Sequence, residues 1–294
     1  MLLCLLTVFT VLGTSVSPLS TSKRNEIGAE TLCGNPFESS LHVSLKHAKK
    51  YMHDWQLTVP ALEAALVSNG GSRHNHKRFD AFEELGCDTT CVGGDCSQDE
   101  SKIVCGLHLL KPPCIVYSIG GNNQWQFEED VLEKTNCIVH TFDCTGPRER
   151  FTPPLHPKLN FHHICLVSDE TEMHDAIMEG KRWTLASMQK NLGHNQIDLL
   201  KLDVEGFEWD VLQSWLALSI SPEPFALPMQ ILMELHYRTQ MKQLAPTADE
   251  DFKSVSDVVV LSSLLKTLGY FSAINYRNPH CPHCTELTLI RTTC

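Results

Sequence analysis

An apolar run of strand length gives way to an acidic turn in Ile197-Asp198-Leu199-Leu200-Lys201-Leu202-Asp203-Val204-Glu205-Gly206-Phe207-Glu208-Trp209. Two carboxylates two residues apart are followed by a glycine and then by a helical pattern. Open α/β sheets bind ligands just beyond the carboxyl ends of their strands, so Asp203 and Glu205 stand where such a fold does its chemistry. Two upstream junctions have the same character. Cys114-Ile115-Val116-Tyr117-Ser118-Ile119 runs into Gly120-Gly121-Asn122-Asn123 and then into Gln126-Phe127-Glu128-Glu129. Ile138-Val139-His140-Thr141-Phe142 ends in Asp143. A glycine turn, an acid after the next strand and an acidic pair after a later one predict a sheet that binds a nucleoside cofactor.

Strands are expected at 114–119, 137–142, 161–167, 197–203 and 229–235. Helical patterns fall at Val131-Leu132, Met173–Met178, Leu185–Leu192, Trp209–Leu218 and Val258–Leu268. That alternation implies a parallel sheet covered on both faces. The last two strands, Tyr270–Asn275 and Glu286–Ile290, are separated by a loop of about ten residues, too short for a crossover, so they pair antiparallel. The expected fold is α/β: a seven-stranded Rossmann-like sheet, mostly parallel, with an antiparallel C-terminal hairpin and an N-terminal helical extension. Helical spacing at Leu41, Leu45, Ala48 and Met52, and again over 59–67, marks that extension. Residues 239–256 are polar and suit an insertion over the cleft.

The apolar Met1–Val16 segment has the length of a signal-peptide core and falls short of the roughly 20 residues of a spanning helix. It is read as a signal peptide or signal anchor over 1–17, which directs the chain to the secretory pathway, for secretion or for anchoring in a Golgi or other membrane. A linker (18–36), a helical and Cys-rich extension (37–100) and the main domain (101–294) follow. Without Cys4 the chain keeps twelve of its 13 cysteines, an even number suited to disulfides in an oxidising compartment. Zinc is the alternative both for the cluster Cys87, Cys91, Cys96 and Cys105 and for Cys281 and Cys284, but a lone C-x-x-C with adjacent histidines lacks a clear second ligand pair, and no metal ligands are assigned. A net charge of −11 without a Lys/Arg stripe repels phosphate backbones, so no nucleic-acid partner is expected.

The residues Val116–Asn123 with Phe127-Glu128, Thr141-Phe142-Asp143 and Leu200–Glu208 resemble the class I S-adenosylmethionine-dependent methyltransferases, and more narrowly their FkbM-like, methyltransferase-domain-22 group. The resemblance spans about 190 residues, from roughly 100 to the end. It implies S-adenosylmethionine as cofactor and oxygen as the methyl acceptor, on a small molecule or glycan. Gly120 and Gly121 would let the backbone approach the cofactor, with Asn122 and Glu128 beside them, although Gly-Gly-Asn-Asn departs from the usual glycine triplet. Asp143 would accept the ribose hydroxyls, its alternative being a cap for Thr145-Gly146. Asp203 would face the cofactor. Glu205, Glu234 and His236 would act on the acceptor, Glu234 and His236 sharing one side of their strand and His236 taking a proton at neutral pH. Glu208 reads as a first-turn helix acid. Asp203-Val204-Glu205 also mimics the acidic pair of a metal-dependent glycosyltransferase, and a catalytically silent binding domain on the same fold is a third reading.

Overall fold

Ile115–Ile119 is almost wholly apolar and buried because it forms the middle of a sheet covered on both faces. The structure is a computed structural model. It describes residues 35–37, 79–82, 84–98, 100–168, 180–219, 225–237, 253–281 and 283–292. The leader, the helical patterns over 41–67 and 173–178, and most of the 239–256 insertion lie outside them.

In chain order the strands are β1 (Thr89–Val92), β2 (Lys102–Cys105), β3 (Ile115–Ile119), β4 (Ile138–Phe142), β5 (Leu159–His162), β6 (Ile164–Leu166), β7 (Lys181–Trp183), β8 (Leu199–Leu202), β9 (Gln230–His236), β10 (Tyr270–Tyr276) and β11 (Cys284–Arg291). The α-helices are α1 (Gln126–Lys134), α2 (Leu185–Leu192), α3 (Glu208–Ser219) and α4 (Val255–Thr267). The seven-stranded sheet has the order β10-β11-β9-β8-β3-β4-β5. Its strands are parallel from β5 through β9, while β11 runs antiparallel to both β9 and β10. The mostly parallel sheet with an antiparallel C-terminal hairpin is therefore present.

Side chains alternate across that sheet with a period of two. Tyr117, Ile119, Phe142, Leu200, Leu202, Ile231 and Met233 join one buried cluster with Met188 of α2, Trp209, Leu212 and Trp215 of α3, and Leu261 and Leu265 of α4. Val116, Val139, Leu199 and Leu232 face the other way, onto Phe127 and Val131 of α1 and onto Val92, Val104 and Cys105. A hairpin-like pair, β1 against β2, thus takes part of the cover on that face. Gln230 fixes it there, accepting from the Cys105 amide at 2.8 Å and donating to the Cys105 carbonyl at 3.0 Å. Asn35 ties the incoming chain to the same sheet by donating to Met229 O at 2.7 Å and Arg291 O at 2.5 Å.

The third expected strand differs from the run over 161–167. It breaks at His163: β5 joins the main sheet, whereas β6 leaves it and pairs with β7. The Cys144–Cys165 disulfide lies beside this break, with Cys165 in β6. A Cβ on Gly180 would stand 2.8 Å from both Cys144 Cβ and His163 O, so only glycine lets the chain entering β7 come this close. The other disulfides are Cys87–Cys105, Cys91–Cys96, Cys114–Cys137 and Cys281–Cys284. Cys114–Cys137 joins the entries of β3 and β4, and the first two of these brace the β1–β2 pair.

Three histidines pack at the far half of the sheet. His140 stacks on His162 with ring centroids 5.3 Å apart and Nδ1–Nε2 at 3.0 Å, and His194 meets the Tyr117 hydroxyl at 2.7 Å. Burial, then His194 and His162, push His140 down to about 3, and burial lowers the other two as well. A histidine depressed in the fold contributes stability that is complete above the unfolded value near 6.5 and is lost as pH falls towards its folded value. Glu234, described below, has the opposite sign, so the contribution must be read as a difference. From pH 7.5 to 5.0, wild type should lose stability relative to His140→Phe in parallel denaturant titrations. Parallel pH profiles for the two proteins would contradict this assignment.

Candidate active site

Strand register levels the acids. Ile119 lies beside both Phe142 and Leu202, and Leu202 lies beside Met233. The residues one step further, Gly120, Asp143, Asp203 and Glu234, therefore share one edge at the carboxyl ends of the parallel strands. The next pairing puts Glu286 of β11 directly opposite Glu234. A cavity of about 460 Å³ opens over this edge, within the size range of small-molecule sites. Gly120, Gly121, Asn122, Glu128, Asp143, Asp203, Glu205, Glu234 and His236 all line it. All nine residues singled out from the sequence are thus brought to one place.

The glycine turn is built by packing as much as by ligand access. A Cβ on Gly120, which has φ +75°, would sit 1.7 Å from the carbonyl oxygen of Asp203. The space is taken by the neighbouring strand end, so a side chain is excluded with or without a cofactor. Gly121 has only ordinary contacts in reach. Asn122 and Asn123 have φ 48° and 65°, and asparagine tolerates the left-handed region better than most residues. They do the conformational work of the missing glycine. Asn123 Oδ1 accepts from Thr152 N at 2.8 Å and Trp125 Nε1 at 3.0 Å, holding the turn in place.

Asp143 anchors the same turn. Its Oδ2 accepts from the amides of Gly121 at 3.0 Å and Asn122 at 2.7 Å, and its Oδ1 accepts from Thr145 N at 2.8 Å. The carboxylate is therefore both a cap for Thr145 and the brace of the glycine turn while it lines the cavity. Glu128, on the first turn of α1, is buried and accepts from Thr141 Oγ1 at 3.3 Å. Burial raises its carboxyl above the usual range, opposed by the Lys201 charge and by the hydrogen bond from the Thr141 hydroxyl. Lys201 itself donates to the Gly120 carbonyl.

The sequence reading missed the residue at the centre of the acidic row. Lys102 reaches in from β2 with a side chain only 1% exposed, its Nζ 2.7 Å from Glu286, 3.5 Å from Asp203 and 3.6 Å from Glu234. Burial alone would pull its ammonium down, but Glu286, Asp203 and Glu234 together hold it above the ordinary lysine value. In turn, burial works against the Asp203 charge, and Lys102, Lys201 and His236 outweigh it to keep Asp203 below the usual range. Glu234 goes the other way: burial and then the adjacent Asp203 push it to about 9, which favours its protonated form at neutral pH.

Glu208 does more than a first-turn acid. Fully buried, it accepts from the amides of Val204 at 2.9 Å and Gly206 at 3.0 Å, and it meets His236 Nδ1 at 3.2 Å. It thereby fixes the Asp203–Gly206 turn and the imidazole together. Burial opposes a charge on His236, yet Glu208, Glu234 and Asp203 raise it to about 10. The raised value favours the imidazolium form of His236, in which the ring would give a proton more readily than take one. Its Nε2 lies 3.6 Å from Glu205 Oε2. Glu205 occupies the left-handed region at φ 57°, and 44% of its side chain is exposed. A non-glycine residue held there costs of the order of 1–3 kcal/mol and persists where the surroundings over-determine it.

Asp143→Ala should unbrace the turn and lower affinity for S-adenosylhomocysteine by roughly tenfold or more, since hydrogen bonds to a charged group are worth about 1.5–3 kcal/mol each. Calorimetry on a folded variant checks it. Unchanged affinity would leave Asp143 as a turn cap alone.

The family model described as Methyltransferase domain (Methyltransf_22) matches residues 49–288. A probable methyltransferase-like protein 24 of Rattus norvegicus is 33% identical over 106 residues, covering 34% of this chain and 28% of that protein. Its namesake in Homo sapiens is 30% identical over 145 residues, covering 48% and 38% respectively. The chain spans about a third of the length of these curated relatives. A solved Methanococcus jannaschii fibrillarin pre-rRNA processing protein aligns with TM-score 0.37 at 12% identity, over 70% of this chain and 89% of that one. The matched span of 49–288 and the seven-stranded sheet with its acid-lined edge carry the assignment: the chain belongs to the methyltransferase domain family.

Proposed function

We propose that this chain is an S-adenosylmethionine-dependent methyltransferase that methylates a hydroxyl oxygen of a small molecule or glycan in the secretory pathway. The observation that carries the reading is the carboxylate-rich cavity at the ends of β3, β4, β8 and β9, on a chain of this family. S-adenosylmethionine is the family's cofactor, and the donor set fits it: acidic side chains face a cationic group, and the Gly120–Asn123 turn leads into α1.

When bound, the cofactor supplies a methyl group activated on a positively charged sulfonium. The protein's own contribution is alignment, exclusion of water and proton removal. The Gly120–Asn123 turn, braced by Asp143, and the buried Glu128 shape the cofactor side of the cavity. Asp143 also offers its carboxylate to the ribose. Asp203, kept ionised by Lys102, supports the positive centre. Glu205, which lines the cavity with 44% of its side chain exposed, receives the proton of the acceptor hydroxyl. His236, protonated, steadies Glu205 and keeps its orientation through Glu208.

The Lys102 ammonium sits among Asp203, Glu234 and Glu286, whereas the acidic pair of the glycosyltransferase reading, Asp203 and Glu205, brings its ligand atoms within 4.8 Å of each other and of His236. Five disulfides among the described residues support an oxidising compartment, and with it the secretory pathway. No helix among those residues is long and apolar enough to cross a membrane, so anchoring would fall to the N-terminal segment. Incubation of the secreted full chain with methyl-labelled cofactor and panels of glycans and small hydroxylated molecules tests the activity. Label should enter an ether-linked methyl group. Label confined to nitrogen acceptors would overturn the choice of oxygen.

A further inference from the structure

The sequence leaves the Cys281/Cys284 pair without a second pair of metal ligands. Strand β9 supplies one. The β9–β11 register sets His236 opposite Cys284. One ligand atom from each of Glu234, His236, Cys281 and Cys284 lies within 4.8 Å of every other, and all four residues are buried. Cys284 Sγ stands 2.6 Å from Glu234 Oε1, and His236 Nε2 lies 3.8 Å from that same oxygen.

The surroundings are those of a ligand set. Behind His236, Glu208 meets Nδ1 at 3.2 Å. A carboxylate in that position fixes the ring orientation of a metal-bound histidine and leaves Nε2 for the ion. Asn278 Nδ2 donates to Glu234 Oε1 at 3.1 Å and orients the carboxyl. The other oxygen, Oε2, stays with Lys102 at 3.6 Å, so the ammonium and the candidate ion position are separate. Two sulfurs at C-x-x-C spacing, one imidazole nitrogen and one carboxylate oxygen are a four-ligand set for Zn²⁺.

The two sulfurs are joined here as a disulfide of sequence separation 3, the shortest loop among those described; the next has separation 5. A disulfide stabilises a fold less the shorter the loop it closes, so this one can open with the least loss of structure. We propose that opening the Cys281–Cys284 disulfide assembles a zinc site from Cys281, Cys284, Glu234 and His236. A dithiol reductant delivers two electrons and two protons to the disulfide and is itself oxidised to a disulfide. Binding of Zn²⁺ then displaces four protons to solvent: one from each thiol, one from the Glu234 carboxyl and one from His236 Nε2. Glu234, His236 and Cys281 all line the cavity, so a bound ion would sit in its wall. The site stands on its ligands and is independent of the methyl-transfer reading.

The test uses the full chain in two forms, as secreted and after mild dithiol treatment to the point where mass spectrometry of alkylated peptides shows Cys281 and Cys284 open. Each is exposed to Zn²⁺ or Co²⁺ and desalted, and metal content is measured with the Co²⁺–thiolate absorption. The expected result is one ion per chain in the opened form, thiolate absorption with Co²⁺, little metal in the untreated form, and loss of uptake in the Cys281→Ser/Cys284→Ser double variant. No uptake by the opened wild type would overturn the proposal. So would equal uptake by the double variant, which would place the metal on other sulfurs, or equal uptake by the untreated form.

Discussion

Lys102→Met is expected to destabilise the protein by about 3–5 kcal/mol, the usual result of removing one partner from a buried ion cluster. The ammonium is the shared counter-charge of Asp203, Glu234 and Glu286, which lie side by side on β8, β9 and β11. Methionine fills a similar volume but leaves the acids facing one another in a buried setting, where like charges on adjacent strands repel. Protonation of Glu234 relieves part of that repulsion; Asp203 and Glu286 still need a cation. Lys102→Met/Glu286→Gln should therefore recover a large share of the loss, because the second change removes the acid in closest contact. Urea titrations of wild type, both single variants and the double variant measure the coupling. Additive effects, with no recovery, would show that Lys102 serves only as filler in the sheet cover.

Glu205→Gln should lower turnover by about 10²–10⁴-fold, the range over which a positioned general base contributes, while cofactor affinity stays within about twofold. The Glu205 carboxylate lies on the left-handed turn at this edge, with 44% of its side chain exposed and Oε2 3.6 Å from His236 Nε2. Gln keeps the shape and loses the basic oxygen. Glu205→Gly relieves the positive φ and should fold at least as well while losing the same activity, which separates chemistry from stability. Single-turnover transfer with saturating cofactor is the measurement. Retained turnover in both variants would move the proton acceptor elsewhere, to the solvent or to the substrate itself.

Much of this site was legible in the sequence because strand ends announce themselves locally. The runs that became β3, β4, β8 and β9 are mostly apolar; Gly120, Asp143 and Asp203 follow the first three immediately, and Glu234 comes after Ile231-Leu232-Met233 within β9. Parallel register then makes neighbours of residues that share only their place at a strand end. Lys102 and Glu286 were hidden for the opposite reason. Each belongs to an antiparallel strand whose partner and register depend on the whole topology, and Lys102 sits in a four-residue strand, Lys-Ile-Val-Cys, with little periodicity to read. Glu208 was visible as a first-turn acid, but its work is done backwards, on amides two and four residues earlier, and across to β9. The split of the 161–167 run into β5 and β6 lies beside a disulfide and a close glycine, and neither pairing nor packing can be counted from spacing. Cysteine number pointed to disulfides without telling which ones.

The most direct test of the cofactor reading is calorimetry of the purified full chain against S-adenosylhomocysteine, with UDP-sugars plus manganese as the competing ligands. The account predicts saturable binding of one S-adenosylhomocysteine per chain, weakened by Asp143→Ala, and no manganese-dependent heat with the UDP-sugars. Manganese-dependent binding of a UDP-sugar with none of S-adenosylhomocysteine would contradict it.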